Sequence, residues 1–335
     1  MCGPRVRKNH IAPWEATVIP FAYQLRKTQF LLLLLISFFV AHLLAALPRP
    51  QASAPPDSSL CSKADSGDPS AIRQLHQYLL QKDAAAPGYD IALSWLRSRA
   101  ELGDPGSQFL LGYLFEHGHG VPQDLAQAVT NYQAAGLRGD SFAQNNLASL
   151  YQRGRGIPRD LQRARELYLL SARRNNSAAQ TNLASMYYAG DGVPRDFSEA
   201  ARWFLAAANQ GDPVAQHNLG VLYYRGEGVP KDFVGAAKWV GRSAAQNLAS
   251  AQTDLAFLYE TGAGVSQDDF AAYLWYSRAL ACGDSTGASR RDAIARRLSA
   301  KQRDEGRTLA ANPPSPPHNA FSWSSGATFS VLPKN

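Results

Sequence analysis

The feature that most limits what this chain can fold into is a period. From Asp104 the sequence repeats every 36 residues, without insertion or deletion, through units 104–139, 140–175, 176–211, 212–247 and 248–283. Gln108, Gln144, Gln180, Gln216 and Gln252 form one column, and Leu111, Leu147, Leu183, Leu219 and Leu255 form another. Glycines recur at 118, 154, 190, 226 and 262 and again two places later, and aspartates at 124, 160, 196, 232 and 268. One step back, unit 68–103 keeps Ala71, Leu75, Ala92, Trp95 and Gly103 in register but has lost both loop glycines, as a terminal cap does. A fixed period of this length marks a stacked array, because one such unit cannot bury its own apolar face.

Within a unit the spacing predicts two helices. Ala179, Leu183, Met186 and Tyr187 fall on one helical stripe, as do Ala200, Trp203, Phe204 and Ala207. The Gly-x-Gly-Val-Pro-x-Asp stretch between them must break the helix: a left-handed glycine cap, a proline, then an aspartate suited to N-cap the second helix. The glutamine column is expected to bond backbone between repeats, and the aromatic columns to be core. After Gly283, a closing helix pair is expected, with Ser299 and Gln302 at capping-box spacing and Arg290, Arg291, Arg296 and Arg297 on its wet face.

The pattern running from Ala179 to Phe204 (A-x-Q-x-x-L-[GA]-x-x-Y-x-x-G-x-G-[VI]-P-x-D-x-x-x-A-x-x-W-[YF]) resembles the Sel1-like repeat family, a relative of the tetratricopeptide repeat with a longer inter-helix loop. The resemblance spans 68–283. It implies an all-α, right-handed α/α superhelical solenoid whose first helices line a concave surface, and a role as an adaptor for protein complexes. One secreted, cysteine-rich branch has been credited with binding or hydrolysing β-lactams. Its paired cysteines are missing here, so that activity does not carry over.

Cysteine usage points the same way: Cys2, Cys61 and Cys282 make no CxxC spacing and are expected to be free thiols. The net charge of +7 is concentrated at the N-terminus, where five basic residues stand against Glu15 in residues 1–29. That excess flanks an apolar run, 30–47, so it reads as membrane targeting rather than nucleic-acid binding. Spanning a bilayer takes about 20 apolar residues. Segment 30–47 is therefore expected to be either a single-pass anchor, with residues 1–29 cytoplasmic and the repeats outside the cytoplasm, or a cleaved signal that leaves a secreted or periplasmic domain. Residues 48–66 read as a Pro-rich extended linker, 67–310 as the repeat domain with its cap at 284–310, and 311–335 as a disordered tail.

No catalytic, cofactor or metal site is predicted. The aspartates fall one per repeat at cap positions, and the Gly-x-Gly pairs follow helices and lack a P-loop Lys. His117 and His119 have no third ligand, and no nucleophilic triad can be assembled from spacing. The chain is expected to be a membrane-anchored or secreted scaffold that binds a protein or peptide partner; an envelope-acting enzyme, a weak β-lactamase or cell-wall hydrolase, is the alternative. Carrying over the tetratricopeptide-like arrangement, positions two before, two, five and six after each first-helix leucine should face the groove. The partner strip is then Asn145, Arg153, Tyr188, His217, Tyr224 and Arg225, with aromatic and arginine residues favoured as hot spots.

Overall fold

The computed structural model describes residues 55–311, all of whose regular elements are helices. The predicted anchor or signal at 30–47, the N-terminal stretch before it and residues 312–335 lie outside the described residues. Among the described residues no helix is long and apolar enough to cross a membrane.

Fifteen helices follow one another among the described residues. A short α1 (Ser58–Asp65) precedes six pairs: α2 (Pro69–Gln81) with α3 (Tyr89–Glu101), α4 (Pro105–His117) with α5 (Leu125–Leu137), α6 (Ser141–Arg153) with α7 (Leu161–Arg173), α8 (Ser177–Ala189) with α9 (Phe197–Asn209), α10 (Pro213–Arg225) with α11 (Phe233–Ala244), and α12 (Ala249–Thr261) with α13 (Asp269–Ala281). Then α14 (Ala288–Ala295) and α15 (Ala300–Ala311) close the array. From α1 to α14 each helix packs on the next in sequence, and α15 folds back on α13, so the fold is an all-helical repeat solenoid built from neighbour contacts.

The conserved spacing of the columns has a physical cause at each position. Asp124, Asp160, Asp196, Asp232 and Asp268 each accept from a first-turn amide of the second helix, which satisfies donors the helix itself leaves unpaired. First helices are capped in the same way by Asp104, Asp140, Asn176 and Asp212; α12 departs, with Leu248 offering no side-chain cap. Every column glutamine donates to a carbonyl near the end of the preceding repeat's second helix, for example Gln144 Nε2 to Gly136 O at 2.9 Å and Gln180 Nε2 to Ala172 O at 3.1 Å. The second loop glycine is required by packing as well as by its positive φ. A Cβ at Gly228 would lie 2.2 Å from the Phe197 carbonyl carbon, because each loop rests on the start of the previous repeat's second helix.

Two sequence expectations are corrected. Residues 58–65 are helical rather than extended linker: Asp57 caps α1, Ala64 is buried, and Trp95 Nε1 donates to Asp65 Oδ1 at 2.9 Å, so α1 covers the open end of the first pair. The cap arginines are not all surface filler. Arg290 reaches Glu260 at 3.1 Å and lies over the Phe257 ring, and Arg297 makes a two-pronged bond to Asp269, which ties α14 to the last repeat. The expected capping box is present: Ser299 N donates to Gln302 Oε1 at 3.0 Å and Gln302 N to Ser299 Oγ at 3.3 Å.

Candidate interaction surface

The predicted strip divides into a buried half and a half-exposed half. Position two before the leucine is closed to solvent: Asn145, Thr181, His217 and Thr253 are all buried, and Phe109 is half-buried. The cause is the stacking of first helices on one another. Residue i there meets residue i+37, so Asn182 Nδ2 donates to Asn145 Oδ1 at 3.0 Å, and His217 Nε2 sits 2.8 Å from Asp254 Oδ2. Asn145 and His217 are thus inter-repeat pins, not groove residues. Their signature was in the sequence: side chains able to hydrogen-bond fill this column in four of the five units, Asn145, Thr181, His217 and Thr253, while Asn146, Asn182, Asn218 and Asp254 fill the next.

The array also brings together a serine, a histidine and an aspartate. Ser250 Oγ is 3.4 Å from His217 Nδ1, on the opposite side of the ring from Asp254. His217 and Asp254 have no exposed side-chain surface, so this trio is organised as a seam between repeats, with no approach for a substrate carbonyl to the imidazole.

Arg153, Tyr188, Tyr224 and Arg225 remain at or near the surface. Arg153 is exposed. Tyr188 is engaged on all sides: its hydroxyl accepts from Arg225 Nη1 at 2.7 Å, donates to Glu227 Oε2 at 3.0 Å, and its ring lies 5.2 Å from that of Phe197. Burial pushes the Tyr188 phenol up, the Arg225 charge opposes that, and Glu227 adds to it. Tyr224 leans on Phe233 and meets Phe257 edge-on. Arg225 therefore already has an acid of its own repeat within 3.8 Å.

A second rule governs that column. Where the second helix carries tyrosine, the first-helix residue sixteen positions earlier is its acceptor: Tyr132 donates to Glu116, Tyr168 to Gln152 and Tyr276 to Glu260, at 2.8, 3.0 and 2.8 Å. Where the second helix carries Phe204 or Val240, that residue is Tyr188 or Tyr224 instead. The two tyrosines of the predicted strip therefore occupy places where no buried hydroxyl needs an acceptor.

A groove of about 480 Å³ opens between α5 and α7 over α6, lined by Leu137, Leu147, Tyr151, Arg163, Leu167 and Leu170 among others. Sequence reading gave it no weight. Its signal is a break in a column that otherwise reads Trp95, Trp203, Trp239 and Trp275. No group of three or more His, Cys, Asp or Glu that could hold a metal ion occurs among the described residues.

A stack of helix pairs with an invariant frame and variable exposed positions defines a helical-repeat solenoid. The Sel1 repeat matches five consecutive stretches, 105–140, 141–176, 177–212, 213–248 and 249–284. The chain belongs to the Sel1 repeat family. A search of curated proteins finds no match. Among solved structures, a Sel1 repeat protein from Oxalobacter formigenes is 24% identical with a TM-score of 0.60, over 78% of this chain and 100% of that one. A protective antigen of uropathogenic Escherichia coli strains with an SLR fold is 28% identical, TM-score 0.49, over 75% of this chain; the present chain spans 62% of that antigen's length. A Sel1 repeat protein of Klebsiella pneumoniae subsp. pneumoniae is 23% identical, TM-score 0.41, over 61% of this chain and 99% of that one.

Proposed function

We propose that this chain is a protein-binding scaffold, displayed outside the cytoplasm on an N-terminal anchor or released there after cleavage of a signal, in which a right-handed superhelix of repeats presents its variable positions to a partner protein. The observation that carries this reading is the division of labour among columns. Gln, Gly, Asp and Leu positions are consumed by caps, loop contacts and inter-repeat bonds, and buried positions that vary, such as Asn145, His217 and Phe204, are consumed by seams between helices, so the variable positions left over lie at the surface. Buried polar groups such as His217 and Asp254 serve the seams, which leaves recognition rather than chemistry as the role of the exposed face. The apolar run 30–47 behind Arg26 and Lys27 supports export.

Crosslinking in intact cells with the full chain, followed by identification of what co-purifies, tests the scaffold. Recovery of one stoichiometric protein supports it, and recovery of none overturns it. Alkaline phosphatase fused after Pro56 reports location: an active fusion supports export, and an inactive one with an active cytoplasmic reporter at the same junction rejects it.

A further inference from the structure

The second-helix column that reads Trp95, Trp203, Trp239 and Trp275 is interrupted at Asn131 and Leu167. In the intact units the indole packs back on the preceding repeat: Trp239 belongs to the core of 200–222, and Trp275 packs against that of 237–258. In the last two of these units an arginine three residues later also covers the ring, Arg242 over Trp239 and Arg278 over Trp275, both at 4.7 Å. In unit 140–175 Leu167 stands for the tryptophan and Leu170 takes the place of Arg242 and Arg278, and the space between α5 and α7 is open. Its apolar walls face solvent: Leu170 is 48% exposed and Leu137, on the opposite wall, 89%.

The charge of this unit is equally particular. Unit 140–175 holds seven arginines against Asp140, Asp160 and Glu166, a net charge of +4 that no other unit approaches. Arg163 and Glu166 both line the groove, Arg163 lying 3.6 Å from Asp160, and the Arg174 guanidinium lies beside Gly139, just past Leu137. Outside the described residues, 1–54 contain one acid, Glu15, and 312–335 contain none.

We propose, resting on the scaffold reading, that the groove between α5 and α7 is the docking site for an acidic segment of a partner protein, which inserts a large aromatic side chain into the place the missing tryptophan leaves. The incoming ring supplies apolar contact of the kind an indole supplies in the units that carry one, here with Leu137, Leu147, Leu167 and Leu170. Acidic residues on either side of it meet Arg163 and Arg174, since guanidinium–carboxylate pairs are directional as well as attractive. Buried aromatic anchors framed by charge are the usual centres of protein–protein affinity.

The decisive variant is Leu167→Trp, which restores the column's own residue and fills the groove from within, so the fold is expected to keep or gain thermal stability. The probe is a nonapeptide of glutamates around one central tryptophan, titrated into the full chain with methyl resonances observed. Wild type should bind it with shifts centred on Leu137, Leu167 and Leu170. Binding should weaken at least tenfold when the peptide's tryptophan is replaced by alanine, at least tenfold in Leu167→Trp, and several-fold in Arg163→Glu. Undiminished binding by Leu167→Trp, or no binding by wild type, overturns the proposal. So does binding of wild type to phosphatidylserine vesicles with none to the peptide, which would make the patch a lipid-facing one. In the cellular crosslinking experiment, a partner captured equally by wild type and Leu167→Trp sinks this inference but leaves the scaffold standing, whereas no partner with either chain sinks the scaffold itself.

Discussion

His217 Nε2 and Asp254 Oδ2 lie 2.8 Å apart across the seam between units 212–247 and 248–283, with neither side chain touching solvent. A buried carboxylate stripped of such a partner is costly, so His217→Ala and Asp254→Ala should each destabilise by about 3–5 kcal/mol. The double variant should lose clearly less than the two combined, since it removes both polar groups. Urea unfolding of the four proteins gives the cycle, and additive losses would show that the pair is not coupled.

Leu183 is wholly buried in the cluster that joins units 104–139 to 176–211. Leu183→Ala should cost about 2–5 kcal/mol. Because repeats touch only their neighbours, amide exchange should accelerate around α6 to α9 and much less in α12 and α13. Asp196→Ala, which removes a cap accepting from Ser198 N and Glu199 N at 2.9 Å, should cost only about 0.5–2 kcal/mol. Uniform acceleration along the array would contradict the nearest-neighbour picture.

The two glycines of one loop should answer differently to alanine. At Gly226 the new Cβ comes to 3.2 Å from the Lys231 Cβ, so the change costs mainly the left-handed backbone, about 1–2 kcal/mol. At Gly228 it meets the Phe197 backbone at 2.2 Å, which adds about 1–3 kcal/mol of overpacking between repeats. Thermal midpoints compare them directly, and equal losses would mean that the loop does not bear on the preceding repeat.

The frame was legible in the sequence because every frame residue answers to a local rule. The N-cap aspartates, the left-handed glycines and the Ser299–Gln302 box are contacts within a few residues, and periodicity exposes them. The glutamine bonds were also within reach, since they span only eight residues. What sequence missed depends on how repeats meet. Asn145 and His217 look like surface positions on an isolated helix and become buried only when the next first helix stacks 37 residues on. The α5–α7 groove is an absence, the tryptophan that unit 140–175 lacks, and hydrophobic periodicity at Leu167 looks normal. Residues 58–65 read as linker because they follow the prolines at 48, 50, 55 and 56, and the helix they form has its stabilising contact, Asp65 with Trp95, 30 residues away.

His76 makes the first pair sensitive to acid. Its ring lies 5.8 Å from that of Trp95, its Nε2 is buried without a hydrogen-bond partner, and burial pulls its pKa below the ordinary value, against a smaller opposing pull from Asp104. The unfolded chain thus binds the proton more tightly than the folded one. The contribution is intact above about pH 6.5 and is lost as pH falls through the lower, folded pKa. Exchange in α2 and α3, corrected for intrinsic rates, should quicken between pH 7 and pH 5 relative to α10, and His76→Gln should flatten that response. An unchanged response in His76→Gln would assign the acid sensitivity elsewhere.

The pairing of second-helix tyrosines with first-helix acceptors predicts that one chemical change reverses in effect from repeat to repeat. Tyr168 is fully buried and donates to Gln152 Oε1 at 3.0 Å. Removing that hydroxyl in Tyr168→Phe leaves the amide oxygen without its donor and should cost about 0.5–1.5 kcal/mol. Phe204 occupies the same column, equally buried, with Tyr188 sixteen residues earlier, whose hydroxyl is committed to Arg225 and Glu227. Phe204→Tyr would therefore add a buried hydroxyl with no acceptor in the acceptor column and should cost about 1–3 kcal/mol. Tyr188→Gln alone should also destabilise, since it abandons the Phe197 stack and the Arg225 bond. Combined with Phe204→Tyr it recreates the Tyr168–Gln152 arrangement, so the double variant should be more stable than additivity predicts by about 0.5–1.5 kcal/mol. A four-member urea cycle measures this coupling, and a coupling of zero would show that the two columns vary independently and that Tyr188 and Tyr224 owe their places to something other than the residue behind them.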